Sequence, residues 1–253
     1  YGVFLGIRPN NKDRVNSGRE TFMLPVDWSG TYPVFENGML PMKPKLKMPA
    51  GVTNQTGKNG FFPNGNFTFT DNFTATNLDF RWIAMRGPRD SFITTSPKGG
   101  VSIKPFTANI HAQAPVSSLF HRFQHKTFEV NVTMKYLPGS NKDLAGITCY
   151  QGEKFNYVFG VTKKENNHFL VLARTEKGIT TIIASTKIDL SEPIQLQVLA
   201  DHDDYRFNYS IDGKNFQNLG GTVSGDILST NIAGGFTGSL LGLYATCGNN
   251  IQP

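Results

Sequence analysis

The chain has 253 residues, among them Gly 26, Phe 20 and Pro 14, with 17% charged residues and a formal net charge of +6. That length can bury one large core or two modest ones, and a turn-rich, aromatic-rich composition excludes a coiled coil and a disordered tail. The Lys and Arg residues are scattered rather than gathered on one face between aromatics, which argues against a nucleic-acid partner, and no apolar stretch reaches membrane-spanning length.

The first element is already in progress at the first residue. In "YGVFLGIRPN" the residues Val3, Phe4, Leu5 and Ile7 form an apolar run. It is closed by Arg8-Pro9 and the turn-forming Asn10-Asn11, and so predicts a short buried strand. Its sheet partners are expected upstream. A polar loop follows over residues 10–17, then "GRETFMLPVDW" and "GTYPVFENG". Next comes "MLPMKPKLKMPAG", in which Pro41, Pro44 and Pro49 favour extended, semi-rigid chain. Lys43, Lys45 and Lys47 alternate there as solvated charges. These features divide the chain into 1–35, the end of a first unit too small for a core of its own, 36–60, a Pro/Gly-rich linker, and 61–253, a second unit.

That second unit reads as strands throughout. "FEVNVTMKY" (Phe128 to Tyr136) alternates apolar and polar residues with the period of a half-buried strand. "YVFGVTK", "FLVLARTE", "TTIIASTKI" and "IQLQVLAD" follow, spaced by "KENNH", "EKG" and "DLSEP". In "YRFNYSIDGKNFQNLG" an Asp212-Gly213 turn sits between alternating flanks, a strong hairpin signal. No segment carries apolar residues at helical spacing. Many short strands with turn residues between them predict an all-β, antiparallel sandwich with less than about a tenth helix, well below the usual ~30–35%.

Residues that could carry chemistry are sparse. Cys149 and Cys247 lie far apart in strand-like surroundings and read as two unpaired buried thiols, with one disulfide as the alternative. The five His residues are dispersed; His121 and His125 share a face of a strand but have no third ligand near them. No metal and no cofactor is expected. Acid–base hydrolysis would need two carboxyls facing one pocket. Glu20 and Asp27 lie seven residues apart on a strand or strand pair with no apolar pocket evident. Asp201, Asp203 and Asp204 of "DHDD" read as a solvated turn, which acidic residues suit, with a structural cation such as Ca²⁺ as the alternative. Neither set reads as such a pair. Trp28 and Trp82 have apolar neighbours and read as core. Arg19 stands out for its planar fork of donors, suited to sugar hydroxyls or a carboxylate; the alternative is a structural partner for Glu20. Phe236 in "GGFTG" sits between glycines that allow a tight loop to push an aromatic outward. The alternative is a buried loop anchor.

The string "YGVFLGIRP…GRETFMLPVDWSGTYPVFENG" resembles the end of the five-bladed β-propeller of glycoside hydrolase family 43, with Thr31-Tyr32-Pro33-Val34 where that family has a Gly-Trp-Pro-Val type segment. The strings "DNFTATNLDFRWIAMRGPRDSF", "FHRFQHKTFEVNV", "AGITCYQGEKFNYVFGV", "YRFNYSIDGKNF" and "GGFTGSLLGLY" resemble, in order, the concanavalin A-like (jelly-roll) β-sandwich that follows it in the β-xylosidase and α-L-arabinofuranosidase branch. The resemblance implies a chain made of the last propeller strands and the C-terminal sandwich, which braces the propeller and shapes the pocket mouth. It places the catalytic Asp and Glu residues in upstream segments, so no catalytic residue is expected in this chain, and the chain alone is expected to be inactive. It implies that Arg19 looks toward the substrate pocket and that Phe236 reaches its mouth. The expected partners are an oligosaccharide substrate and an upstream propeller domain of the same protein, with homo-oligomerisation left open. The end at "GNNIQP" lacks the family's closing strand motif. The compartment stays open, with the periplasm or secretion favoured. Two rival readings remain: a non-catalytic, lectin-like carbohydrate-binding module, and an accessory domain without sugar contact.

Overall fold

The computed structural model describes residues 1–35, 38, 50–51 and 65–253. The linker predicted over 36–60 therefore lies almost wholly outside the described residues. The chain forms two compact units, Tyr1–Arg8 with Arg19–Asp71, and Pro9–Gly18 with Asn72–Pro253.

In the first unit, β1 (Gly2–Gly6) and β2 (Glu20–Leu24) pair antiparallel from Gly2↔Leu24 to Gly6↔Glu20. The short β3 (Val26–Asp27) and β4 (Val34–Phe35) form a second ribbon. Phe4 and Phe22 stack on one face of the first pair, with ring centroids 6.0 Å apart. Successive side chains on a strand alternate faces, so Val3 and Leu5 point the other way and are 69% and 62% exposed. The opening run is thus a strand half-buried on one face and exposed on the other.

The second unit contains β5 (Ile83–Met85), β6 (Ile93–Thr95), β7 (Val101–Ile103), β8 (Val116–Arg122), β9 (Thr127–Met134) and β10 (Leu144–Gly152). They are followed by β11 (Phe155–Lys164), β12 (Asn167–Glu176), β13 (Ile179–Ile188), β14 (Ile194–Asp201), β15 (Asp204–Ser210), β16 (Gln217–Ser224) and β17 (Leu240–Thr246). Helix among the described residues is limited to the one-turn α1 (Thr230–Ala233) and two 3₁₀ turns. A seven-stranded sheet of order β13-β12-β11-β10-β17-β8-β5 faces a four-stranded sheet of order β16-β15-β14-β9, and every strand pairing within them is antiparallel. β6 and β7 make a separate ribbon.

The core between the sheets takes Ile147, Tyr157, Phe159, Leu170 and Leu172 from the large sheet and Leu196, Val198 and Phe207 from the small one. A second cluster, with Leu144, Val158, Val171 and Tyr244, lies on the opposite face of the large sheet under Ile110 and Ile251. Both faces of β10, β11 and β12 are therefore dry, and those strands are apolar almost without alternation. The small sheet is covered on one side only, so β9 alternates half-buried and exposed residues along its whole length.

Candidate functional site

Pro9–Gly18 joins β1 to β2 in sequence, yet it belongs to the sandwich unit. The segment is folded by its own Asn10, whose Oδ1 accepts the backbone N–H groups of Lys12 and Arg14 at 2.8 and 2.9 Å. The Nδ2 of the same Asn donates to the carboxylate of Asp203, which also lies 3.4 Å from the Lys12 ammonium. Asp203 is only 2% exposed, so its carboxylate meets these two partners in place of water, and its Oδ2 has the Lys12 ammonium nearby but no hydrogen bond. Further along, Val15 is buried; its N–H donates to Asn231 Oδ1 and its carbonyl accepts from Thr230. Asn16 donates to the Gly225 carbonyl at 3.0 Å and accepts from the Ser239 N–H at 2.8 Å. Lys126 Nζ donates to the Pro9 carbonyl. The segment is a strap, fastened at both ends and in the middle.

The strap ends in a bridge between Gly18 and Thr237. Gly18 has φ +73°, and a Cβ there would lie 2.2 Å from the Gly238 nitrogen; one on Gly238 would lie 2.1 Å from the Ser17 carbonyl oxygen. Only glycines allow the two backbones to approach this closely. Arg19 is the residue after Gly18, and Phe236 is the residue before Thr237. Arg19 is exposed. Phe236 is 67% exposed, at the tip of a turn in which Gly234 and Gly235 have φ +79° and +81°. It is not a buried anchor.

Of the acidic residues weighed as carboxyl pairs, Glu20, Asp27, Asp201 and Asp203 each have a partner in the structure. Glu20 is held in a two-point ion pair by Arg8, with Arg8 Nη2 2.6 Å from Glu20 Oε1. The hydrogen bond to Glu20 raises the Arg8 pKa. Asp27 accepts the Ser29 N–H at 2.9 Å in an exposed turn, which lowers its pKa. Asp201 is exposed and binds His202 and Thr127. Asp203 departs from the solvated turn expected for "DHDD": it is the buried anchor of the strap. No signal in the local sequence marks it, because its partners are nearly two hundred positions away.

Among the described residues no group of three or more His, Cys, Asp or Glu side chains could hold a metal. His121 packs edge-on against Trp82, with centroids 5.9 Å apart. Nearby, Asp79 is gripped by Arg81 at 2.7 and 2.8 Å, and that hydrogen bonding lowers its pKa to about 2. Trp82 is half-buried and precedes β5. Trp28 is 71% exposed, contrary to its reading as core. Cys149 and Cys247 are both free thiols, the first buried and the second half-buried.

Residues 70–252 match the family model of the β-xylosidase C-terminal concanavalin A-like domain. The chain belongs to this family. Among relatives of the β-xylosidase C-terminal domain seen here, a non-reducing-end α-L-arabinofuranosidase of Bacteroides ovatus is 25% identical over 97% of this chain and 45% of its own length. A putative β-xylosidase of Escherichia coli K12 is 26% identical over 90% of this chain and 42% of its own. In structure the chain is similar to a GH43_12 protein retrieved from a capybara gut metagenome, with a TM-score of 0.87 and 48% identity over 96% of this chain and 46% of that one. The chain therefore spans under half the length of these relatives, which align across the first unit as well as the domain.

Proposed function

We propose that this chain is the C-terminal part of a glycoside hydrolase that acts on xylan- or arabinoxylan-derived saccharides, as a β-xylosidase or an α-L-arabinofuranosidase. The observation that carries the reading is the match of the sandwich to the β-xylosidase C-terminal domain, supported by relatives named as an arabinofuranosidase and a β-xylosidase. In this reading residues 1–35 are the last strands of a propeller blade and the catalytic carboxylates lie in the part of the protein that precedes them. The sandwich braces that part and supplies one side of a sugar pocket. Arg19 grips sugar hydroxyls through its fork of donors, and Phe236 acts as an apolar wall for the ring.

The test compares the complete protein with the 253-residue chain on nitrophenyl β-D-xyloside and α-L-arabinofuranoside. The complete protein is expected to release nitrophenol and the chain alone is expected to release none above buffer. Turnover by the chain alone would overturn the assignment of its catalytic groups. A complete protein that binds xylo-oligosaccharides without hydrolysing them would replace the enzyme by a binding module.

A further inference from the structure

We propose that Asp203 is a positioning residue that acts through the strap on Arg19. The inference rests on the reading of Arg19 as a sugar-binding group. The observations behind it all lie within the sandwich unit. A carboxylate 2% exposed is a costly feature, and this one sits on the sandwich side facing the strap with Asn10 and Lys12 as its partners. Its backbone carbonyl accepts the Gly225 N–H at 2.6 Å. Gly225 in turn receives Asn16 of the strap on its own carbonyl. Asp203 thus ties the start of the strap by its side chain and, through Gly225, the end of it by the backbone.

What the strap delivers is the position of Gly18, locked against Thr237 and Gly238 with no room for a side chain. The next residue is Arg19. An Arg whose α-carbon is held starts from fewer conformations, so less entropy is lost when its fork closes on a ligand. Asp201, two residues earlier, contacts Thr127 and His202 and no strap residue. It is the natural control.

The experiment uses the complete protein and reads two quantities. The first is tryptic cleavage of the strap after Lys12 and Arg14, expected to be slow in the parent and in Asp201→Ala and fast in Asp203→Ala. The second is kcat/KM on the nitrophenyl glycosides for Asp203→Ala, Arg19→Ala and the double variant. Asp203→Ala should lower kcat/KM by about tenfold, within the range shown by coupled contacts. In the Arg19→Ala background it should change kcat/KM hardly at all, because there is no guanidinium left to place. Should Asp203→Ala fail to fold, the Asn10→Ala/Lys12→Ala variant removes the same ties from the exposed side; it carries the same kinetic expectations, and its strap cleavage is read after Arg14 alone. Equal losses in both backgrounds, or an unchanged strap, overturn the proposal while leaving the reading of Arg19 intact. A silent Arg19→Ala sinks that reading and this proposal with it.

Discussion

His111 shows how far a single side chain can be read once its neighbours are known. Its Nδ1 lies 3.0 Å from the Glu153 carbonyl oxygen. A carbonyl only accepts, so Nδ1 carries a proton, and Nε2 is buried without a hydrogen-bond partner. Burial lowers the His111 pKa below its ordinary value. The unfolded chain therefore takes up a proton at a higher pH than the folded one does. Stability from this group is complete above the unfolded pKa of about 6.5 and declines as the pH falls below it. Against a His111→Gln variant, the parent should lose stability between pH 7 and pH 5, by at most about 1.4 kcal/mol per pH unit for one proton. Urea denaturation at several pH values measures this, and a difference that stays flat would refute it. His121, also lowered by burial, is common to both proteins and cancels. At the proposed site the expectations are kinetic. A charged donor to a sugar hydroxyl contributes ~1.5–3 kcal/mol, so Arg19→Ala in the complete protein should cost about one to two decades in kcat/KM. Phe236→Ala should mainly raise KM, by a smaller factor. Thermal midpoints that fall for both while activity stays unchanged would make the two residues structural.

At the scale of elements, the small sheet is held to the large one by aromatic residues that point across the gap. Phe207 of β15 is fully buried and meets Tyr157 and Phe159 of β11 at centroid distances of 5.6 and 5.4 Å. Phe207→Ala should destabilise the sandwich by about 3–5 kcal/mol, the cost of lost burial plus a cavity. Phe207→Leu should cost clearly less, and equal losses would show that volume is not what the site needs. The elements that carry this contact were legible because their environment is simple. β9 and β14 have one wet face, and their sequences alternate accordingly. The Asp212-Gly213 turn is also local, with Asp212 Oδ1 accepting the N–H groups of Lys214 and Asn215. Side chains of β10–β12 show little alternation because a second cluster covers the outer face of their sheet, a fact of tertiary packing that no window of sequence contains. The strap was legible as a polar loop but not as a fastened one. Asn10 announces its own turn, whereas Asp203, Gly225 and Asn231 become its partners only through the fold. Of the proposed binding residues, Arg19 was marked by its fork of donors and Phe236 by its glycine neighbours; the bridge between Gly18 and Thr237 was not marked. Trp28 was misread because apolar neighbours in sequence do not place a residue after a short ribbon under cover.

For the molecule as a whole, its two free thiols allow the integrity of the sandwich to be read without a substrate. Cys149 lies in β10 between Tyr157 of β11 and Leu241 of β17, with no exposed surface, inside the cluster that joins the two sheets. Burial pushes its thiol pKa up, so almost no thiolate is present at neutral pH. A reagent can reach it only when the sheets separate. Cys247 lies just beyond β17 and is partly accessible. Ellman's reagent should therefore titrate about one thiol per chain under native conditions. The second should appear only along the urea transition, in step with loss of the β-sheet signal in circular dichroism. If opening requires global unfolding, and stability is at least about 5 kcal/mol, the Cys149 reaction is slowed by more than about a thousandfold relative to the unfolded chain, since each 1.4 kcal/mol is tenfold. Replacing Cys247 by Ser should remove the fast phase and leave the slow one. Two fast thiols in the native protein would mean that the seven-stranded sheet opens locally around β10.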